Sequence, residues 1–396
     1  MKLMLQSIWC FGHLLPLLVI GVCATSFAQP APDVVWQSTA TNSYILNPVA
    51  LSPDGSVAAT LGTNNTIQIW RMSDGIPVQA LSGNGSWVGD LAFSPDGVYL
   101  ASGGGDSSVR VWRTADWSVA YSIATSIQGP PVAFSPDSST LAIGNGSAIQ
   151  LRYATNGSLF QSWTATTGEL TALAFSPDGS KLGSGAGIRG MDTALKIWAS
   201  PSGSLLQTIP TAQTYGIGRV LFSPDGLQVL TGSQYLYSGP MQSWQVSDGL
   251  LLRTFPLAAY AMAFSKDGTV LAAVGTNIMF FRASDGAVMQ VFSDGFAGFT
   301  QGEKGIALAP AGGLFIRSRG LGGVLVGLIP VLISSPSIEG GQMVIQWVGG
   351  TGLYKLQRSL AFGVGWQDVG GILTSNSAII TPDVSSAFYR VVALPQ

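Results

Sequence analysis

Seven times along this chain a short apolar run ends in a tight turn. Ser-Pro-Asp-Gly occupies residues 52–55, 94–97, 176–179 and 223–226. Altered copies are Ser135-Pro136-Asp137-Ser138, Ser265-Lys266-Asp267-Gly268 and Ala309-Pro310-Ala311-Gly312. Their third residues lie at 54, 96, 137, 178, 225, 267 and 311, in steps of 42, 41, 41, 47, 42 and 44. A period of about 40–45 residues marks a chain made of stacked supersecondary units, none of which buries its apolar face alone.

Within a repeat the pattern reads as four short strands. The first is the apolar run, as in Leu91-Ala92-Phe93-Ser94. In the turn, Pro presets φ, Asp bonds its own backbone and Gly accepts φ > 0. A second strand follows at once (residues 57–61, 99–102, 140–143, 270–273), then a Gly/Asn/Asp hairpin such as Asn64-Asn65 or Gly105-Asp106. The third strand ends on an aromatic: Trp70, Trp112, Trp198, Trp244 or Phe281. A Ser-Asp-Gly turn at 73–75, 247–249 or 284–286 leads into the fourth. Four-strand meanders bury both faces when stacked around an axis. The first strand carries a matching taper, with Ala beside a large residue at Ala92-Phe93, Ala133-Phe134, Ala174-Phe175 and Ala263-Phe264. Neighbouring side chains face opposite ways, so the small one meets one neighbour and the large one the other.

The Phe-Ser-Pro-Asp-Gly turn, the Leu-Ala-Ser-Gly second strand at 100–103 and the Val-Arg-Val-Trp third strand at 109–112 resemble the WD40 repeat family. The resemblance covers about residues 33–330 and implies an all-β, seven-bladed propeller. The chain departs from the family in two ways. The Gly-His dipeptide before each first strand is missing, and Trp-Asp is replaced by Trp70-Arg71, Trp112-Arg113, Trp198-Ala199 and Trp244-Gln245. Ser102, Asp106 and Trp112 match the family's polar network without its histidine, so the usual intrablade hydrogen bonds are not expected in full.

Residues 1–28 read as a secretory signal: Lys2, a short apolar region at 14–22, and Ser26-Phe27-Ala28 as a small-x-small exit with cleavage after Ala28. The expected destination is the periplasm or the medium. The only histidine, His13, and the only cysteines, Cys10 and Cys23, would leave with it. That removes Ser-His-Asp and Cys-His catalysis, His or Cys zinc sites and disulfides. Neither a cofactor nor a metal is expected. Of 18 Lys and Arg, 17 would remain against 20 acidic residues, a formal charge of −3. No basic run exists, so nucleic acid is not an expected partner, and no integral membrane segment is expected after cleavage.

Val34-Val35-Trp36-Gln37-Ser38 reads as an outer strand without a repeat of its own, and the seventh repeat lacks one. The N-terminal strand is therefore expected to complete the last blade. Residues 331–396 leave the repeat, with alternating strands at 343–348, 354–358, 366–369, 378–381 and 388–393. They resemble a small fibronectin-III-like sandwich through Trp347, Tyr354-Lys355-Leu356-Gln357, Trp366 and Phe388-Tyr389-Arg390-Val391. The expected organisation is signal 1–28, propeller 29–330 and appended module 331–396.

Loops on a rigid scaffold carry binding. The fourth repeat has an insertion at 186–193 holding Arg189 and Asp192, and the fifth has one at 234–240 holding Tyr235 and Tyr237. Tyr215 lies in the connection between them, and Trp87 lies in the loop at 82–90. These six residues are the ligand candidates. The recurrent turn aspartates are read as turn formers, since calcium needs about six to eight converging oxygens. The recurrent tryptophans read as blade core, and Arg71, Arg113 and Arg282 as solvated or paired. Glu169 and Glu303 fall in connections of non-adjacent repeats, so nothing pairs them for hydrolysis. The expected function is a secreted, monomeric, non-enzymatic scaffold presenting loops to a protein or glycan partner. The alternatives are a hydrolase or lyase using Asp, Tyr, Arg or Lys near the channel, and a passive envelope structural protein.

Overall fold

The computed structural model describes residues 10–11, 20–21, 34–38, 48–85, 87–187, 192–233, 239–275, 277–292, 305–309, 314–319, 323–328, 332–333, 337–339, 342–348, 353–359, 367–374, 377–380 and 388–394. Seven antiparallel four-stranded sheets form the blades of a propeller. Their inner strands are Val49–Leu51, Val88–Phe93, Val132–Phe134, Leu170–Phe175, Ile217–Phe222, Ala261–Phe264 and Ile306–Leu308. Each inner strand contacts the next, and the last returns to the first, so the ring is closed. In blade 7 the fourth strand is Val34–Ser38, paired antiparallel with Gly323–Leu328. The N-terminal strand thus completes the last blade, as the missing outer strand of the seventh repeat predicted.

The repeat turn owes its recurrence to one hydrogen-bond set. Ser94 Oγ donates to Asp96 Oδ1 at 2.5 Å, and that oxygen accepts the Val98 N–H at 3.0 Å. Ser94 Oγ accepts the Tyr99 N–H at 2.9 Å, and Gly97 N–H donates back to the Ser94 carbonyl at 2.9 Å. The same side-chain bonds close the turns at Asp54, Asp137, Asp178, Asp225 and Asp267. Each carboxylate satisfies its own turn, as the turn-forming reading requires. Gly97 sits at φ 75°, in the left-handed region. At the altered copy Ser138 takes the same conformation, φ 62°, and its hydroxyl accepts the Asp96 N–H of the neighbouring turn at 2.9 Å.

Seven apolar clusters fill the seven blade interfaces. The taper works as its spacing predicts. Phe93 packs toward blade 1 and Ala92 toward blade 3; Phe175 packs toward blade 3 and Ala174 toward blade 5. Phe264 and Ala263 repeat the division. A wedge-shaped gap thus receives its bulk from one side only, which keeps both sheets close-packed. The third-strand aromatics Trp70, Trp112, Trp198, Trp244 and Phe281 are buried in these interfaces, as core.

Beyond residue 331 the strands expected from the sequence are present as Gln342–Val348, Leu353–Ser359, Gln367–Asp368, Ser377–Ile380 and Phe388–Leu394. Leu332–Ile333 and Ser337–Glu339 are additional. They form two antiparallel sheets, one around Gln342–Val348 and one around Leu353–Ser359. Upstream of the ring, Cys10–Phe11 pairs with Ile20–Gly21. Among the described residues no helix is long and apolar enough to cross a membrane.

Candidate functional site

The second-to-third and fourth-to-first connections of every blade leave from one rim. On blades 4 and 5 they are stitched together. Gly187, at the start of the blade 4 insertion, makes a β-bridge to Gly216 in the connection that enters blade 5. Thr211 Oγ1 in that connection donates to the Thr193 carbonyl at 2.7 Å. On its other side, Gln213 Nε2 donates to the Pro240 carbonyl at 2.6 Å, and the Ala212 N–H donates to Gln242 Oε1 at 2.9 Å. Ser233 Oγ lies 2.9 Å from Gln213 Oε1 and 2.6 Å from the Gly239 carbonyl. The 210–216 connection therefore joins the ends of both insertions into one surface.

Within that surface Asp192 is a structural anchor. Its Oδ2 receives Lys196 Nζ at 2.7 Å and Thr166 Oγ1 at 3.1 Å, and its Oδ1 accepts the Ala194 N–H at 3.3 Å. Lys196 also donates to the Ala165 carbonyl at 2.8 Å. Burial raises the Asp192 pKa, but the Lys196 bond and charge, with the Ala194 and Thr166 donors, outweigh it and hold the carboxyl below its ordinary value. Tyr215, next to the bridging Gly216, is 51% exposed. Arg189, Tyr235 and Tyr237 lie outside the described residues. Trp87 is half-buried on another sector, against Gly105 and Gly129 of blades 2 and 3. The structure thus groups Asp192 with Tyr215 and separates Trp87 from them.

Sequence reasoning missed the ion pair that crosses the channel. Asp90 of blade 2 and Arg219 of blade 5 meet at 3.0 Å, with side-chain exposures of 8% and 21%. Asp90 Oδ2 also accepts the Val132 N–H of blade 3 at 3.1 Å. The two residues occupy the same height, opposite Gly103 and Gly232 in their second strands. A signal existed: these are the only charged residues in the seven inner strands, and their signs are opposite. On the turn face, residues of blades 1, 2, 5, 6 and 7 line an open depression of about 530 Å³. Its wall includes Leu51, Leu91, Leu221, Met262, Phe264 and Ile306.

The polar network forms in part, as expected without the histidine. Trp70, Trp112, Trp198 and Trp244 donate their indole N–H to Thr60, Ser102, Ser184 and Thr231 at 2.8, 3.0, 2.9 and 3.2 Å. Ser102 in turn donates to Asn84 Oδ1 at 2.9 Å, so an amide stands where the histidine is missing. Gln213 plays a similar part toward Ser233. Asp106, expected in the same network, instead pairs with Arg110 at 2.7 Å; with no imidazole N–H to donate to it, the carboxylate accepts from the guanidinium. Arg71 and Arg282 pair with Asp74 and Asp285 at 2.9 and 2.8 Å, as expected of them.

The sequence profile of the WD domain, G-beta repeat, matches residues 75–113 and 157–199. Each match begins with the outer strand of one blade and runs through the first three strands of the next. No curated protein matches the chain.

Proposed function

We propose that this chain, a WD40-like seven-bladed β-propeller, is a secreted, non-enzymatic scaffold that binds a protein partner through the rim of blades 4 and 5. Propellers of this family are generally interaction scaffolds, although fold alone does not assign function. The observation that carries the reading is the joining of two insertions by the 210–216 connection, with Tyr215 half-exposed beside the bridge. Exposed Tyr on a rigid support offers large contact area at low entropic cost. The engagement of Asp192 by Lys196, Thr166 and Ala194 argues for loop support there rather than proton transfer. Secretion rests on the signal-like residues 1–28.

The test is capture of partners from the native secretome by the wild-type chain and by the Tyr215→Ala, Tyr235→Ala, Tyr237→Ala triple variant. The expected result is loss of at least ten-fold in affinity for a captured protein, with the melting temperature unchanged. Retention of full affinity removes this surface from consideration. A glycan array run in parallel distinguishes a carbohydrate ligand.

A further inference from the structure

The outer edge of the ring changes character from blade to blade. Each fourth strand begins on the turn side, after the short turn that leaves the third. In blades 3, 4 and 5 it opens with Leu159-Phe160, Leu205-Leu206 and Leu251-Leu252, each residue between 36% and 50% exposed. Leu159, Leu205 and Leu251 occupy one register, opposite Arg152, Trp198 and Trp244 of the third strands. Exposed Tyr153 joins the first pair, its ring 4.7 Å from that of Phe160, and exposed Leu250 precedes the third. The pairs form one band, because each outer strand is stitched to the turn of the next blade. Gln161 Nε2 donates to the Ser202 carbonyl and Gln207 Nε2 to the Val246 carbonyl, both at 3.0 Å. A band of this kind goes beyond singly scattered apolar exposure and marks a docking surface.

Charge is withdrawn from the same sector. The turns that lead into the fourth strands of blades 1, 2, 5 and 6 hold Asp74, Asp116, Asp248 and Asp285, which accept the N–H groups of Ile76, Ser118, Leu250 and Ala287. In blades 3 and 4 the acceptors are Asn156 Oδ1 and Ser202 Oγ, which take the N–H groups of Ser158 at 2.9 Å and Ser204 at 3.3 Å. The turn keeps its acceptor and loses its charge. Residues 148–164 and 195–209 contain no acidic side chain. Absence of charge lowers the cost of leaving water for an apolar medium.

The shape of the edge selects the occupant. With four strands per blade spaced about 4.8 Å apart, the outer strands lie about 20 Å from the axis. The flanking pairs stand one seventh of a turn to either side of the middle pair. They therefore lie about 7 Å behind it, within the roughly 5–10 Å to which an interfacial apolar surface sinks into a bilayer. A second ring, equally convex, meets this edge at one blade only. The register slip beside each pair also disfavours an added partner strand. A fluid phase reaches all three pairs at once.

We propose that the outer edge of blades 3–5 docks on a lipid bilayer, with the three apolar pairs inserted to the boundary of the acyl region and Tyr153 at the level of the head groups. The loop rim of blades 4 and 5 stays open to a protein partner.

The probe is phosphatidylcholine vesicles, co-sedimented with the exported chain. The expected result is partition of the wild type into the lipid pellet. Leu205→Ser with Leu206→Ser should lower the partition coefficient at least ten-fold, with the melting temperature unchanged. Ile76→Ser with Val78→Ser, on the acid-bearing edge of blade 1, should change it less than two-fold. Asn156→Asp with Ser202→Asp, which supplies the turn acceptor used in the other blades, should lower it about ten-fold in a folded chain. That variant decides if the leucine variant does not fold. Analytical ultracentrifugation without lipid tests for a second copy as the occupant. Absence of wild-type partition, unchanged partition of the Asn156 and Ser202 variant or of a folded leucine variant, an equal loss in the blade 1 variant, or a lipid-free dimer dissolved by the leucine substitutions would overturn the proposal.

Discussion

At the scale of the residue, the Ser-Pro-Asp-Gly turn couples the ring's stability to acid. Hydrogen bonds from Ser52, Ser135 and Ser176 are the leading cause that holds Asp54, Asp137 and Asp178 below the ordinary carboxylate range; Asp178 is brought to about 2. A carboxyl with a lowered folded-state pKa contributes stability above its unfolded pKa of about 3.9, and that contribution is lost as pH falls through the folded value. Urea midpoints should therefore decline as pH falls from about 4 toward 2, through these turns. Ser176 is buried, and its hydroxyl bonds both Asp178 and the Lys181 N–H. Ser176→Ala should cost about 1–2 kcal/mol at pH 7. The gap between variant and wild type should narrow near pH 2, where Asp178 protonates in both. An equal gap at both pH values would show that the carboxylate bond contributes nothing.

At the scale of the element, the inner strands carry one structural charge each way across the axis. Removing either partner leaves the other partly buried without its counter-charge. Asp90→Ala and Arg219→Ala should each destabilise the fold by about 2 kcal/mol, and a double-mutant cycle should return a coupling of about 1–3 kcal/mol. A coupling near zero in denaturant melts would mean that the bridge adds nothing to the ring. The outer strands show a second regularity. In six blades the pairing of third and fourth strands slips just before the third-strand aromatic or its counterpart, as between Val111 and Trp112 or Ile197 and Trp198. Such bulges increase twist and blunt an edge that would otherwise pair with another chain. They matter here because Leu159, Phe160, Leu205, Leu206, Leu251 and Leu252 are exposed on those edges.

At the scale of the molecule, closure is the cooperative event. The outer strand of blade 7 comes from Val34–Ser38 and its other strands from residues 306–328, so one sheet joins distant parts of the chain. Deleting residues 29–40 should uncover the Gly323–Leu328 edge and lower the melting temperature by roughly 10 °C or more. An unchanged melt would show that the ring holds without this strand. The family profile reports the same interlock, since each matched segment spans two adjacent blades.

The blades were legible because local rules repeat. A Pro-Asp-Gly turn, period-two apolar runs and a terminal aromatic specify a meander whichever blade they occupy. The Ala-Phe taper specified even the side on which bulk is needed. The missing outer strand of the seventh repeat was enough to assign Val34–Ser38 to it. The candidate rim was legible in part, because Asp192 sits in an insertion that breaks the period and Tyr215 in the connection beside it. Their environments were not: whether Asp192 faces a ligand or Lys196 depends on a side chain whose position the strand pairing alone leaves open. The substitution of Asn84 for the expected histidine was hidden for a similar reason. An amide in a loop signals nothing until packing brings it to Ser102. By itself the sequence determined the units, their number and their order, because those follow from contacts a few residues apart. Only the tertiary structure decided which distant side chains share the axis, because Asp90 and Arg219 meet through ring curvature that no local pattern encodes.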